Sequence, residues 1–287
     1  MAKALPILLL GITLAMPTLW AQLPSEPEVQ ARAALLEFAT AWNSGDIESV
    51  RAVLNYPHVT HFGGGLRIAR QPAELIQDFD ALREQGWARS RFGEVTVYQV
   101  SQNKVNLTVE WARLNANNQI FQTGQAFYVF TRQNGKWGMQ YRSGGSSQLT
   151  GVPMASSQAI QGATAAVADF FQAFNAADNS ALRRVNHVPQ VMLNDLTFIE
   201  AVTEAASLVN PDFATMRASE DWDHSVYQAL NPIIVTPSQV IFELVFERVN
   251  SGSEVYRRVP ALWVISRKAA VWGIEFRSLM PSTLEVR

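Results

Sequence analysis

The chain contains no cysteine. That excludes disulfides, thiolate metal sites, a cysteine nucleophile and a lipidated cysteine. Charge is sparse: Asp, Glu, Lys and Arg make up 17% of residues and the formal net charge is −2. Lys and Arg are spread without a basic run, so no nucleic-acid surface is expected. No apolar run reaches the roughly 20 residues that a bilayer-spanning helix needs, so no membrane span is expected. What is present is 48% apolar residues in 287, the composition of a core-forming protein long enough for two domains.

The N-terminus reads as an address. Lys3 precedes an apolar run from Ala4 to Ala15, followed by Pro17 and the small residue Ala21. This is the layout of a signal peptide over residues 1–21, cleaved after Ala21. The mature protein is then expected in the periplasm or secreted.

The rest of the chain is written twice. Trp137-Gly138 is followed three residues later by Arg142-Ser143, and Trp272-Gly273 likewise by Arg277-Ser278, 135 positions on. Phe38 to Asn43 is answered by Phe170 to Asn175 at an offset of 132, and Arg113 by Arg248 at 135. A Gly/Ser/Gln/Ala-rich stretch separates the copies. The expected domains are therefore 22–145 and 163–287, with a linker over 146–162.

Within the first copy, apolar residues at three- and four-residue spacing predict a helix over Glu28–Asn43, ended by Gly45. Asp46 is expected to cap a second helix through Val53. A strand follows over His58–Phe62 and a third helix over Gln71–Glu84. Four strands then span 94–100, 105–113, 120–131 and 136–143, the last two joined at Asn134-Gly135.

Strand alternation assigns faces. Val105, Leu107, Val109 and Trp111 form a buried face that ends at Arg113. Trp137, Met139 and Tyr141 should share one face. Arg142 and Arg277 should point away from it, towards a contact between the domains, with Glu110 and Glu275 placed to meet them. The copies differ in charge: residues 22–150 hold 12 Lys/Arg against 11 Asp/Glu, and residues 151–287 hold 10 against 14. His58 and His61 of the first copy are Gln190 and Leu193 in the second. Those differences favour the first copy as the active one.

The stretches Trp42-Asn43-Ser44-Gly45-Asp46 and Asn134-Gly135-Lys136-Trp137 resemble the nuclear-transport-factor-2-like superfamily, which includes SnoaL-like cyclases, ketosteroid isomerase and scytalone dehydratase. The first half looks like a bacterial, exported branch of it. The resemblance implies an α+β fold of two tandem cone-shaped repeats. Each would be a curved antiparallel sheet wrapped around about three helices, with an apolar pocket at its open end. It also implies that the two repeats pair with each other through their sheets. Ketosteroid isomerase works with a carboxylate base and an oxyanion hole of a tyrosine and a protonated aspartic acid. By the resemblance those places fall at Phe38, Phe62 and near Phe127, all apolar. That argues against enolising chemistry by this mechanism in the first copy.

Candidate catalytic residues are His58 and His61, either of which could act as a general base. Three apart on a strand, they face opposite sides and are poor partners for one metal. No metal site and no cofactor are expected. Candidate ligand-binding residues are Trp87, Trp111, Arg113, Tyr128, Trp137 and Tyr141. The aromatic ones could equally be core, and Arg113 could equally be in an ion pair, for example with Glu37. Ser90 and Ser225 lack the partners of a nucleophile. The expected function is an exported module that binds a small apolar or amphipathic molecule, or a partner protein. The alternative is a SnoaL-like enzyme of the cyclase, isomerase, dehydratase or lyase type in the first domain, with Arg113 stabilising an anion.

Overall fold

A computed structural model of the protein describes residues 24–62, 65–148 and 157–284. The expected signal peptide, Gly63, Gly64 and part of the expected linker lie outside the described residues.

The first copy opens with α1 (Glu26–Ser44), which buries Ala31, Ala34, Leu35, Phe38, Ala41 and Trp42 on one face. Gly45 ends it in the left-handed region at φ 67°, where a residue without a Cβ meets no steric penalty. Asp46 caps α2 (Ile47–Ala52) by accepting from the backbone N–H groups of Glu48 and Ser49. Then come β1 (Leu54–His61) and β2 (Leu66–Ala69). The third helix is shorter than its pattern suggests. Only a 3-10 turn, Pro72–Glu74, and α3 (Phe79–Glu84) form. Asp78 caps α3 through Ala81 N–H at 2.8 Å, while Leu75 is buried on an extended segment. Four long strands finish the copy: β3 (Arg89–Val100), β4 (Lys104–Leu114), β5 (Ile120–Gln133) and β6 (Lys136–Gln148).

The second copy repeats this order. Its elements are α4 (Ser157–Asn175), α5 (Asn179–Val185), β7 (Asn186–Asn194), β8 (Thr197–Ala201), α6 (Phe213–Glu220), β9 (Trp222–Tyr227), β10 (Asn231–Thr236), β11 (Gln239–Asn250), β12 (Val255–Lys268) and β13 (Val271–Leu279). Ordered structure thus enters both ends of the 146–162 segment, since β6 runs to Gln148 and α4 starts at Ser157. The long third strand of the first copy is two strands here, β9 and β10, both paired with β11.

The fold is α+β with two mixed sheets rather than two antiparallel ones. Their orders are β2-β1-β6-β5-β4-β3 and β10-β11-β12-β13-β7-β8. The parallel pairs are β1 with β6 and β13 with β7. They arise because the first strand of each copy leaves the helices and enters beside the last strand, running the same way.

Each sheet buries its concave face on its own helices. Phe38, Trp42, Trp87, Leu107, Val109 and Trp137 belong to the first core, and Phe170, Phe171, Trp222, Phe242 and Trp263 to the second. The outer faces pack on each other in a third core, which joins Val59, Phe127, Val129 and Tyr141 to Val191, Leu193, Ile241 and Phe276. At its centre the Tyr141 and Phe276 rings stack, with centroids 3.5 Å apart and planes 14° apart. These two residues are repeat equivalents. A residue packing on its own counterpart marks a two-fold contact, here between halves of one chain.

Candidate functional site

The face assignment of the repeated strand is corrected by a bulge. In β6, Met139 lies opposite Phe130 and Tyr141 opposite Val129, so Gln140 is the extra residue. In β13, Ile274 lies opposite Ile265 and Phe276 opposite Val264, so Glu275 is the extra one. An extra residue reverses the alternation beyond it. Trp137 and Met139 therefore face the first core while Tyr141 faces the other domain. Arg142 and Arg277, expected at the domain contact, instead turn into the two cones.

In the first cone Arg142 is buried, its guanidinium 5.1 Å from the Trp42 ring centre and 5.9 Å from that of Phe62. It lines a cavity of about 130 Å³ together with Phe38, Phe92, Trp111, Arg113 and Tyr128. Of the six residues that the sequence marks for ligand binding, Trp111, Arg113 and Tyr128 are in this lining. Trp87 is packed on Phe79 and donates from Nε1 to Ser90 Oγ at 3.0 Å. Trp137 donates to Gln30 Oε1 at 2.5 Å, and Tyr141 belongs to the domain contact. Arg113 does not pair with Glu37: it donates to Gln122 Oε1 at 2.8 Å. Of the three apolar residues at the isomerase positions, Phe38 and Phe62 line the cavity and Phe127 lies between the domains.

The histidines are on opposite faces of β1, and neither is among the described residues that line the cavity of either cone. His58 is fully buried with Nδ1 3.1 Å from Met139 O. Burial, then the charge of Arg142, push its imidazole down to about 3, so it is neutral at ordinary pH. His61 crosses the domain boundary, with Nε2 2.8 Å from Glu275 Oε2 and Nδ1 3.1 Å from the Tyr141 hydroxyl. Ser266 and Lys268 also meet Glu275. Burial would raise the Glu275 carboxyl, but His61, Lys268 and Ser266 hold it down to about 2. The convergence of a histidine with Arg113 that a general-base mechanism requires is not formed. Glu110 and Glu275 do not meet Arg142 or Arg277 either; Glu110 faces outwards along β4.

The second cone holds the larger cavity, about 330 Å³. Its walls are Phe170, Phe171, Phe174 and Met216 from the helices and Phe246 and Trp263 from the sheet, closed by Leu208, Leu279 and Met280. Arg277 is buried there, its guanidinium 5.3 Å from the Phe170 ring centre and 5.5 Å from that of Trp263. Its bonds are long: 3.4 Å to Gln190 Oε1 and 3.5 Å to Leu208 O, with Nε unpartnered. Burial, then the nearby Arg248, lower its pKa to about 10. Trp263 Nε1 is a second buried donor without a partner among the described residues. Arg248 is neutralised by Glu220, which also accepts from the Tyr256 hydroxyl. Two wider clefts follow the seam between the domains, but no buried unpartnered donor is among their lining residues.

Ser90 and Ser225 are structural. In each copy an asparagine at the end of the first helix clamps the serine backbone. Asn43 donates to Ser90 O at 2.9 Å and accepts from Ser90 N at 2.7 Å. Asn175 does the same with Ser225 at 2.8 Å each way. The clamp ties the end of the helix to the sheet.

The described residues thus form two α+β cones, each with a buried arginine inside it. Residues 26–140, the first domain, match the family model described as NTF2-like protein (DUF6841), and the second domain repeats the order of elements of the first. The chain is similar to a cystatin-like protein of unknown function from Nostoc punctiforme at 18% identity, covering 42% of this chain and 90% of that one, with TM-score 0.36. It is similar to an NTF2-like protein from Novosphingobium aromaticivorans at 18% identity, covering 44% and 84%, with TM-score 0.36. A ketosteroid isomerase-like protein from Erwinia carotovora aligns at 18% identity over 44% and 98%, with TM-score 0.34. No curated protein matches.

Proposed function

We propose that this is an exported binding protein for a small amphipathic anion, held in the second cone. The observation that carries the proposal is Arg277: a buried guanidinium, flanked by aromatic rings, with no carboxylate partner and no partner for its Nε–H among the described residues. A buried charge is costly unless it is paired. A ligand carboxylate would supply the pair, and its apolar body would lie against Phe170, Phe171, Phe174 and Met216. The cavity volume is within the range of about 300–1,000 Å³ typical of small-molecule sites. Binding is favoured over catalysis because no Asp, Glu or His is among the described residues that line this cavity, so nothing there can take a proton from a bound molecule. Export rests on the layout around Lys3, the 4–15 apolar run and Ala21. Mass spectrometry of the mature N-terminus tests it, with Gln22 expected as the first residue.

The binding reading is tested by calorimetry with octanoate and octanol, which share an apolar body. Octanoate should bind the native chain ten- to a hundred-fold more tightly than octanol, since a charge-assisted hydrogen bond contributes about 1.5–3 kcal/mol. Arg277→Gln should erase that difference. Equal affinities in the native chain, or an octanoate affinity indifferent to Arg277→Gln, would rule out this site.

A further inference from the structure

We infer that the first cone is a separate site for a compact, doubly charged oxyanion, recognised by Arg113 and Arg142. The inference does not depend on what the second cone binds.

It begins with a charge that is compensated in one copy and not in the other. Arg248 of the second copy is paired with Glu220. The repeat offset of 135 puts Arg113 in the place of Arg248 and Gln85 in the place of Glu220. The first copy therefore keeps the arginine and lacks its carboxylate. Arg113 donates to the neutral Gln122. Arg142, 5% exposed, reaches only neutral acceptors at long range: Thr60 Oγ1 at 3.4 Å and Gln77 Oε1 at 3.5 Å. Neither arginine has an ion pair among the described residues, and no Asp or Glu is among the residues that line the cavity. The two are close enough for the charge of Arg113 to lower the pKa of Arg142, after the larger effect of burial. Two like charges thus share a small aromatic chamber, an arrangement that an anion between them would relieve.

The donors are suitably presented. The Arg142 guanidinium lies over Trp42 and that of Arg113 over Trp111, 5.4 Å from the ring centre. Stacking of this kind occupies the faces and leaves the N–H edges for bidentate contact with carboxylate or phosphate oxygens. The Tyr128 hydroxyl, also in the lining, makes no hydrogen bond to another described residue and is a third donor. Size sets the class. About 130 Å³ exceeds the ~30 Å³ share of a single water but is well short of a drug-sized site. A three-carbon dicarboxylate or a tetrahedral oxyanion suits it, and the ligand class proposed for the second cone does not.

The test is isothermal titration of the full chain at low ionic strength with malonate, sulfate and acetate. Malonate or sulfate should occupy one saturable site per chain, and acetate should bind at least tenfold more weakly than the better of them. Preference for malonate assigns a dicarboxylate, and preference for sulfate a tetrahedral anion. Arg113→Gln should weaken binding at least tenfold, the loss of one charge-assisted contact. Arg113→Lys should recover part of the loss, and Arg142→Gln should abolish binding. Arg277→Gln should leave it unchanged. Arg113 is at the half-exposed end of β4, so its variants keep the test valid if Arg142→Gln fails to fold. The inference is overturned if neither dianion saturates a site, if acetate binds as well as both, if Arg113→Gln binds like the native chain, or if Arg277→Gln removes the site.

Discussion

Gln140 and Glu275 occupy the same bulge in the two copies and have opposite fates. Gln140 accepts from Thr131 Oγ1 at 2.9 Å and leaves its own Nε2 without a partner. Glu275 instead joins the domains through His61 and is neutralised by Lys268. Its carboxyl is depressed to about 2 in the folded chain, below the value of ~4.3 expected when unfolded. For a depressed carboxylate the stabilisation is present above the unfolded pKa and lost as pH falls through the folded one. The native chain should therefore lose about 3 kcal/mol relative to Glu275→Gln between pH ~4.5 and ~2. Urea midpoints of the two proteins across that range would show it. Parallel curves would mean that the ion pair contributes nothing to folding.

A helix-to-strand clamp recurs in each cone. Asn43 and Asn175 each make two hydrogen bonds to a strand backbone about fifty residues away. Asn43→Ala and Asn175→Ala should each cost about 1–3 kcal/mol, because the backbone groups of the buried serine lose their partners. Chemical denaturation measures this, and a variant with an unshifted midpoint would show that its cone is held open by packing alone. Most of the elements were legible: the amphipathic stripe of α1, the Gly45 stop, the Asp46 cap and the Asn134-Gly135 hairpin are local signals. The third helix, expected over Gln71–Glu84, was overread: Pro72 opens only a 3-10 turn, and Asp78 caps a helix that starts at Phe79. The bulge was not legible at all. Nothing within Trp137 to Ser143 announces an extra residue, because what defines it is the register against β5. That single displacement moved Arg142 and Arg277 from an expected contact surface into the cones, and so hid both candidate sites.

At the scale of the molecule, the sheets meet back to back around Tyr141 and Phe276, with polar contacts beyond the apolar centre. His61 with Glu275 is one of them. Another is Lys104, fully buried, which donates from the first domain to the Leu193, Asp195 and Leu279 carbonyls of the second, at 3.2, 2.9 and 2.5 Å. Leu279 also lines the second cavity, so the first domain supports the wall of the second domain's site. A protease site introduced at Gly151 should leave the cleaved halves associated in sedimentation, and Phe276→Ala should weaken that association. The truncation alone should cost about 3–5 kcal/mol. Two freely sedimenting halves of the parent chain would refute the pairing.

By itself the sequence determined the duplication, the ends of the first two helices and the inward course of the β4 face up to Arg113. These rest on local propensity and on patterns that repeat at a fixed offset. Tertiary structure alone decided where the charges go. Strand alternation predicts a face only while the register is unbroken, and pairing with a distant strand placed one extra residue in each copy. It turned the arginines inward, set His61 against Glu275 across the domain boundary, and left one cone with an uncompensated pair of charges where its twin has an ion pair.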